Sequence, residues 1–129
     1  MSEKEKINIA IVDDDASLCN AMDRLLRAAG FQPFTYLSAE AFLRDKGRVR
    51  LGCILLDIQL GGMSGFELQS QLTTAGSTIP IIFITAYDDP ETRERARQTQ
   101  CVAYLRKNDP GEVVLDAIRK AIHIDKDKR

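Results

Sequence analysis

Side chains able to do chemistry stand directly behind apolar runs in this chain. Asp13, Asp14 and Asp15 follow "INIAIV" (7–12), and Asp57 ends "CILLD" (53–57). Thr85, with Ala86 behind it, ends "IPIIFIT" (79–85), and Lys107 stands two residues past "VAYL" (102–105). Carboxylates brought together repel one another, and a hard divalent cation is the usual way to offset that. Mg²⁺ prefers oxygen ligands and keeps several waters, so one or two carboxylates suffice to hold it. A carboxylate beside that ion can attack phosphorus and form an acyl phosphate. The ion and an ammonium would neutralise charge on the transferring phosphoryl oxygens, and a hydroxyl could hydrogen-bond the product. The set suits phosphoryl transfer to an aspartate.

Each residue also has a plain structural reading. "DDDA" before a helix can be an N-cap with acids that complement the helix dipole, and Asp15 is assigned that role. Asp57 can cap a turn, and Lys107 can be a surface lysine. Taken singly, these readings are as good as the chemical one. What favours chemistry is joint placement, and that depends on the elements.

The three long apolar runs are rich in β-branched residues and of strand length, as suits strands buried on both faces of a parallel sheet. "PFTY" (33–36) and "VAYL" read as two shorter strands nearer the edges. Between them, Leu18, Met22, Leu25, Leu26 and Ala29 recur at helical spacing, with Gly30 as a stop. Ser38 caps a second helix with Glu40 in its first turn, although Ala41 stands where a full capping box needs Glu or Gln. Phe66, Leu68 and Leu72 mark a third. Pro90 opens a fourth, polar almost all round. Pro110 opens the last, with Val114, Ala117, Ile118, Ala121 and Ile122 on its apolar face. Five strands alternating with five helices predict a doubly wound α/β fold. In such a sheet, ligands bind outside the carboxyl ends of the strands, where these side chains stand.

The totals exclude other classes. A chain of 129 residues is one ordinary domain, and a net charge of -1 gives no basic field for nucleic acid. Cys19, Cys53 and Cys101 lack metal-ligand spacing, and their odd number argues against a disulfide framework. No window approaches the roughly 20 apolar residues that cross a bilayer. A cytoplasmic location is expected. The tail "HIDKDKR" is expected to fray, with His123 a solvated helix-end residue.

These residues resemble the receiver domain of two-component response regulators. The resemblance spans residues 7 to about 123 and rests on "IVDDD", "ILLDIQLGGMSGFEL", "PIIFITA" and "AYLRK" in that order. "GMSG" and "AYLRK" look similar to receivers of the FixJ type, which usually precede a helix-turn-helix domain. The resemblance implies one receiver domain over 1–129 with a flavodoxin-like sheet of strand order 2-1-3-4-5. It implies Asp57 as phosphoacceptor, served by a phosphohistidine on a sensor histidine kinase or phosphotransfer protein. Asp13 and Asp14 match the acidic pair that binds Mg²⁺ with Asp57 and the backbone carbonyl of Gln59. The Thr85 hydroxyl, the Ala86 amide and Lys107 match groups that contact the phosphate. Tyr104 matches the aromatic that turns inward as Thr85 moves, reshaping the fourth helix, fifth strand and fifth helix. Homodimers would form through that same face.

Such a module is not a turnover enzyme, although it helps catalyse its own phosphorylation and dephosphorylation. The alternative is a receiver-like interaction module that works without phosphorylation. A phosphatase of the haloacid dehalogenase kind needs an acid two residues after the nucleophile, where this chain has Gln59. DNA binding would need an output domain, so the expectation is a stand-alone receiver or a fragment of a regulator.

Departures from the family bear on the loops. Gly61 replaces a common proline, so the loop after Asp57 is expected to be looser. The resemblance implies that Gln59 and Tyr87 occupy positions that tune acyl-phosphate lifetime in the family, and the bulk of Tyr87 is expected to shield the phosphate and lengthen that lifetime. Asn108 replaces a proline that follows the lysine through a cis bond. A non-proline cis bond costs about 2.5–4 kcal/mol, so either a trans bond with a rerouted loop or a strained cis bond is expected.

Overall fold

Strands and helices alternate along the chain: β1 (Asn8–Val12), α1 (Ala16–Ala28), β2 (Gln32–Tyr36), α2 (Ala39–Arg44), β3 (Cys53–Asp57), α3 (Gly65–Thr74), β4 (Ile81–Thr85), α4 (Pro90–Arg97), β5 (Ala103–Arg106) and α5 (Gly111–Asp127). They belong to a computed structural model that describes residues 6–45 and 49–127, with side chains as far as residue 123. The strands pair in parallel in the order β2-β1-β3-β4-β5. This is the predicted flavodoxin-like order, and it sets the switch point between β1 and β3.

The two-residue period of a strand divides the core between the sheet faces. Ile9, Ile11, Leu55, Ile82 and Ile84 pack with Leu26 of α1 and Ile118 of α5. Ala10, Val12, Ile54, Leu56 and Phe83 face the other way, onto Phe42 of α2, Phe66 and Leu68 of α3 and Ala96 of α4. Covered on both faces, β3 and β4 are buried at every residue.

Several boundaries shift for local reasons. β4 starts at Ile81 rather than residue 79, because Pro80 has no N–H for the ladder; its carbonyl still accepts from Ile54 N–H at 3.0 Å. β5 runs from Ala103 to Arg106, one residue later than expected. Asp15 caps α1 as assigned, accepting from the Ser17 and Leu18 amides at 3.0 and 3.2 Å. Ser38 caps α2 through the Ala41 amide at 2.9 Å. α3 opens on a full capping box: Ser64 accepts from the Glu67 amide at 3.1 Å, and Glu67 accepts from the Ser64 amide at 2.8 Å. Pro90 sits in the first turn of α4 behind its cap, Asp89, and only Ala96 of that helix is buried. α5 begins one residue after Pro110, whose carbonyl accepts from Val113 N–H at 2.9 Å. It continues to Asp127, so the tail expected to fray is helical that far.

Register converts these strands into a site. Val12 pairs with Leu56, which sets Asp13 level with Asp57. Asp57 pairs with Ile84, so Thr85 lies one step beyond it. Thr85 pairs with Arg106, and Lys107 is the next residue.

Candidate functional site

Lys107 is the hub of the edge where these strands end. Its Nζ donates to Asp57 Oδ2 at 3.0 Å and to Asp13 Oδ1 at 3.2 Å, and lies 3.1 Å from Asp13 Oδ2. Asp13 and Asp57 are buried, at 0% and 1% exposure, while Asp14 beside them is open to solvent. Asp13 Oδ1 also accepts from Asp15 N–H at 2.8 Å. Asp13 Oδ2 is buried and has no aligned hydrogen-bond donor, its closeness to Lys107 being one of charge alone.

One oxygen from each of Asp13, Asp14 and Asp57 lies within 4.8 Å of the others. Three carboxylates against one ammonium leave excess negative charge in a largely dry place. Burial first, and then the charge of Asp13, pushes the Asp57 carboxyl up to about 6, against the opposing pull of Lys107 and the Gln59 amide. Desolvation alone would lower Lys107, but its bonds to Asp57 and Asp13 outweigh that and hold it above the usual lysine value. A hard divalent cation fits this donor set: the ligands are oxygens, the charge needs offsetting, and one buried oxygen lacks a donor.

A cleft of about 430 Å³ lies over Asp57, and its walls include Asp14, Gln59, Ala86, Tyr87 and Lys107 but neither Thr85 nor Tyr104. Gln59 N–H donates to Asp57 Oδ1 at 3.1 Å. Thr85 is fully buried, and its hydroxyl is turned to the backbone of Tyr87: it accepts from Tyr87 N–H at 3.0 Å and donates to Tyr87 carbonyl at 3.3 Å. Thr85 is therefore at the site in sequence register while its hydroxyl is engaged elsewhere.

Tyr104 is half-buried against the α2–α4 side of the core, and its hydroxyl donates to Asp88 rather than to water. Asp88 had no role in the sequence reading, since nothing local to it announces a partner sixteen residues away. The Lys107–Asn108 bond is trans. The chain turns at once, with Arg106 N–H donating to Asp109 Oδ2 at 2.9 Å and Asp109 N–H to Arg106 carbonyl at 3.0 Å. With a trans bond to Asn108, Lys107 still reaches Asp57 and Asp13. The loop after Asp57 has two side-chain ties: Gly61 N–H donates to Asp14 Oδ2 at 3.3 Å and Met63 N–H to Glu40 Oε2 at 2.9 Å.

Comparison with known proteins agrees with this geometry. The family model of the response regulator receiver domain matches residues 9–119. The chain is 36% identical over 124 residues to the response regulator protein TmoT of Ectopseudomonas mendocina, covering 96% of this chain and 56% of that protein. It is 30% identical over 102 residues to the transcriptional regulatory protein FixJ of Bradyrhizobium diazoefficiens, covering 79% of this chain and 50% of that protein. The chain thus spans about half the length of the curated relatives it matches. Among solved structures, a response regulator receiver protein from Burkholderia phymatum has a TM-score of 0.80 at 38% identity, covering 92% of this chain and 96% of that one. The FixJ-N structure has a TM-score of 0.83 at 30% identity, covering 93% and 96%. Matched along nearly its whole length in sequence and in fold, this chain belongs to the response regulator receiver family of two-component systems.

Proposed function

We propose that Asp57 accepts a phosphoryl group from a phosphohistidine on a sensor histidine kinase or phosphotransfer protein, and that α4, β5 and α5 carry the signal onward. The observation that carries this reading is Lys107, reaching from the end of β5 to lie 3.0 Å from Asp57 and 3.1 Å from Asp13. Burial and the charge of Asp13 push the Asp57 carboxyl up to about 6, and a bound cation would offset both and favour the ionised, nucleophilic form. A carboxylate oxygen bonds to phosphorus as the P–N bond breaks, and the imidazole nitrogen keeps the electron pair. Asp13, Asp14, Asp57 and the backbone carbonyl of Gln59 would hold Mg²⁺, which when bound supplies neutralising charge to the phosphoryl oxygens.

Lys107 is placed to follow the new negative charge, and the amide of Ala86 belongs to the wall of the same cleft. For Thr85 to bond the phosphate, its hydroxyl must leave the Tyr87 backbone. For Tyr104 to turn inward, it must leave Asp88. α4 is the element most easily displaced, since only Ala96 anchors it in the core. The module is a self-catalysing switch rather than a turnover enzyme. It would pair with a second copy through α4, β5 and α5, act in the cytoplasm, and reach DNA only through a further domain.

Incubation with acetyl phosphate and Mg²⁺, read by intact mass, tests the reading. A phosphoryl adduct present on the wild type and absent from Asp57→Ala is expected. No adduct on the wild type would overturn it in favour of a module that works by contacts alone.

A further inference from the structure

The loop between β3 and α3 ends a series of its N–H groups on carboxylates. Gln59 N–H goes to Asp57 at 3.1 Å, Gly61 N–H to Asp14 at 3.3 Å, Met63 N–H to Glu40 at 2.9 Å, and Ser64 N–H to Glu67 at 2.8 Å. These acceptors are not alike. Asp57 and Asp14 belong to the reacting cluster, so their oxygens are committed elsewhere once a cation or phosphoryl group arrives. Glu67 caps its own helix and holds only the loop's far end. Glu40 alone among the four reaches the loop from across the structure, out of the first turn of α2, and takes no part in the cluster.

The loop backbone is shaped to receive it. Gly62 has φ +84, a left-handed conformation that other residues rarely adopt. A Cβ built there would stand 2.9 Å from Glu40 Oε2, so the glycine both makes the turn and leaves room for the carboxylate. The Met63 amide is also the leading cause that holds the Glu40 carboxyl below the usual range.

We infer that Glu40 is a positioning residue of the phosphorylation site, fixing the loop that carries Gln59 while Asp14 and Asp57 exchange their loop contacts for ligand. This rests on the phosphoacceptor reading. It also accounts for the tolerance of Gly61: a loop lacking proline stiffness is held by a carboxylate tether instead.

The competing account is that Glu40 only complements the α2 dipole or adds negative charge near the cation. Two variants separate these. Glu40→Ala removes charge and acceptor; Glu40→Gln removes the charge and keeps an oxygen that can accept from Met63. Both are expected to fold, since Glu40 is only partly buried and both replacements are good helix formers. The full chain is titrated with MgCl₂ alone by calorimetry, and exchange of the Met63 amide is followed by NMR without Mg²⁺. Glu40→Ala is expected to bind Mg²⁺ roughly tenfold more weakly, as for loss of other groups that orient metal ligands, with faster Met63 exchange. Glu40→Gln should recover most of both. An Ala variant that binds Mg²⁺ like the wild type, or a Gln variant no better than Ala, overturns the inference. A wild type that binds no Mg²⁺ would instead sink the phosphoacceptor reading itself.

Discussion

The Tyr104 hydroxyl donates to Asp88 Oδ1 at 3.2 Å, and around that bond the β4–α4 loop, α4 and β5 are joined. Asp88 takes Arg93 of α4 through both Nε and Nη2, and Arg106 Nη1 lies 3.6 Å away. The Arg93 guanidinium also stands 5.7 Å from the Tyr104 ring centre. If Tyr104 turns on activation as proposed, its hydroxyl must first leave this cluster.

Tyr104→Phe keeps the ring and removes only the donor. Loss of one hydrogen bond of ordinary net strength should speed local opening roughly fivefold. The expected result is faster amide exchange along α4, with β3 and β4 amides unchanged. Equal α4 exchange in variant and wild type would show that the hydroxyl holds nothing in place.

Tyr87 stands at the rim of the cleft over Asp57 and is 62% exposed. Its backbone already engages Thr85, so its ring is the part free to act on water access. Tyr87→Ala should shorten the lifetime of the phosphorylated state severalfold, measured as loss of the mass adduct after acetyl phosphate is removed. An unchanged or slower decay would rule out shielding.

What could be read from the sequence was whatever local chemistry decides. Apolar runs made β1, β3, β4 and β5 legible, and the strand ends then pointed to Asp13, Asp57, Thr85 and Lys107 from the sequence alone. Glu40 was legible only as a dipole partner, because its own helix offers that role, whereas its bond to Met63 spans 23 positions. The Asp88 latch was hidden for the same reason. The Ser64–Glu67 box is different: its spacing is local, and the signature stands in the sequence. The loop's ties were equally hidden, because residue type at Gly61 says nothing of the carboxylates of Asp14 and Glu40 that accept from the loop.

Gly61 itself gives a sharper test. Its φ lies outside the left-handed region, and a Cβ there would meet only Asp14 Oδ2 at 3.9 Å. Gly61→Ala should therefore stabilise the chain by about 0.4–1 kcal/mol through the unfolded state. Gly61→Pro restricts the unfolded chain more but cannot donate to Asp14. Urea unfolding should rank Ala above Pro. A more stable Pro variant would mean that the 3.3 Å bond is worth less than the added restriction of the unfolded chain.

The raised carboxyl of Asp57 makes stability depend on pH in a definite direction. Its value in the folded chain is about 6, against 3.8 for an unperturbed aspartate. Between these values the folded protein holds a proton that the unfolded chain has released, so stability falls as pH rises through this window and is level above it. Lys107 does not blur this, because its raised value acts only at alkaline pH. Asn imitates the protonated acid and keeps the site's shape, while Lys107 retains Asp13. In chelator at pH 7.5, Asp57→Asn should be more stable than the wild type by about 3 kcal/mol, the free energy of that shift. By pH 5 the advantage should shrink to about half. Urea titrations of the two proteins at both pH values supply the comparison. A variant less stable than the wild type at pH 7.5 would mean that the Lys107–Asp57 pair outweighs the cost of burying the charge.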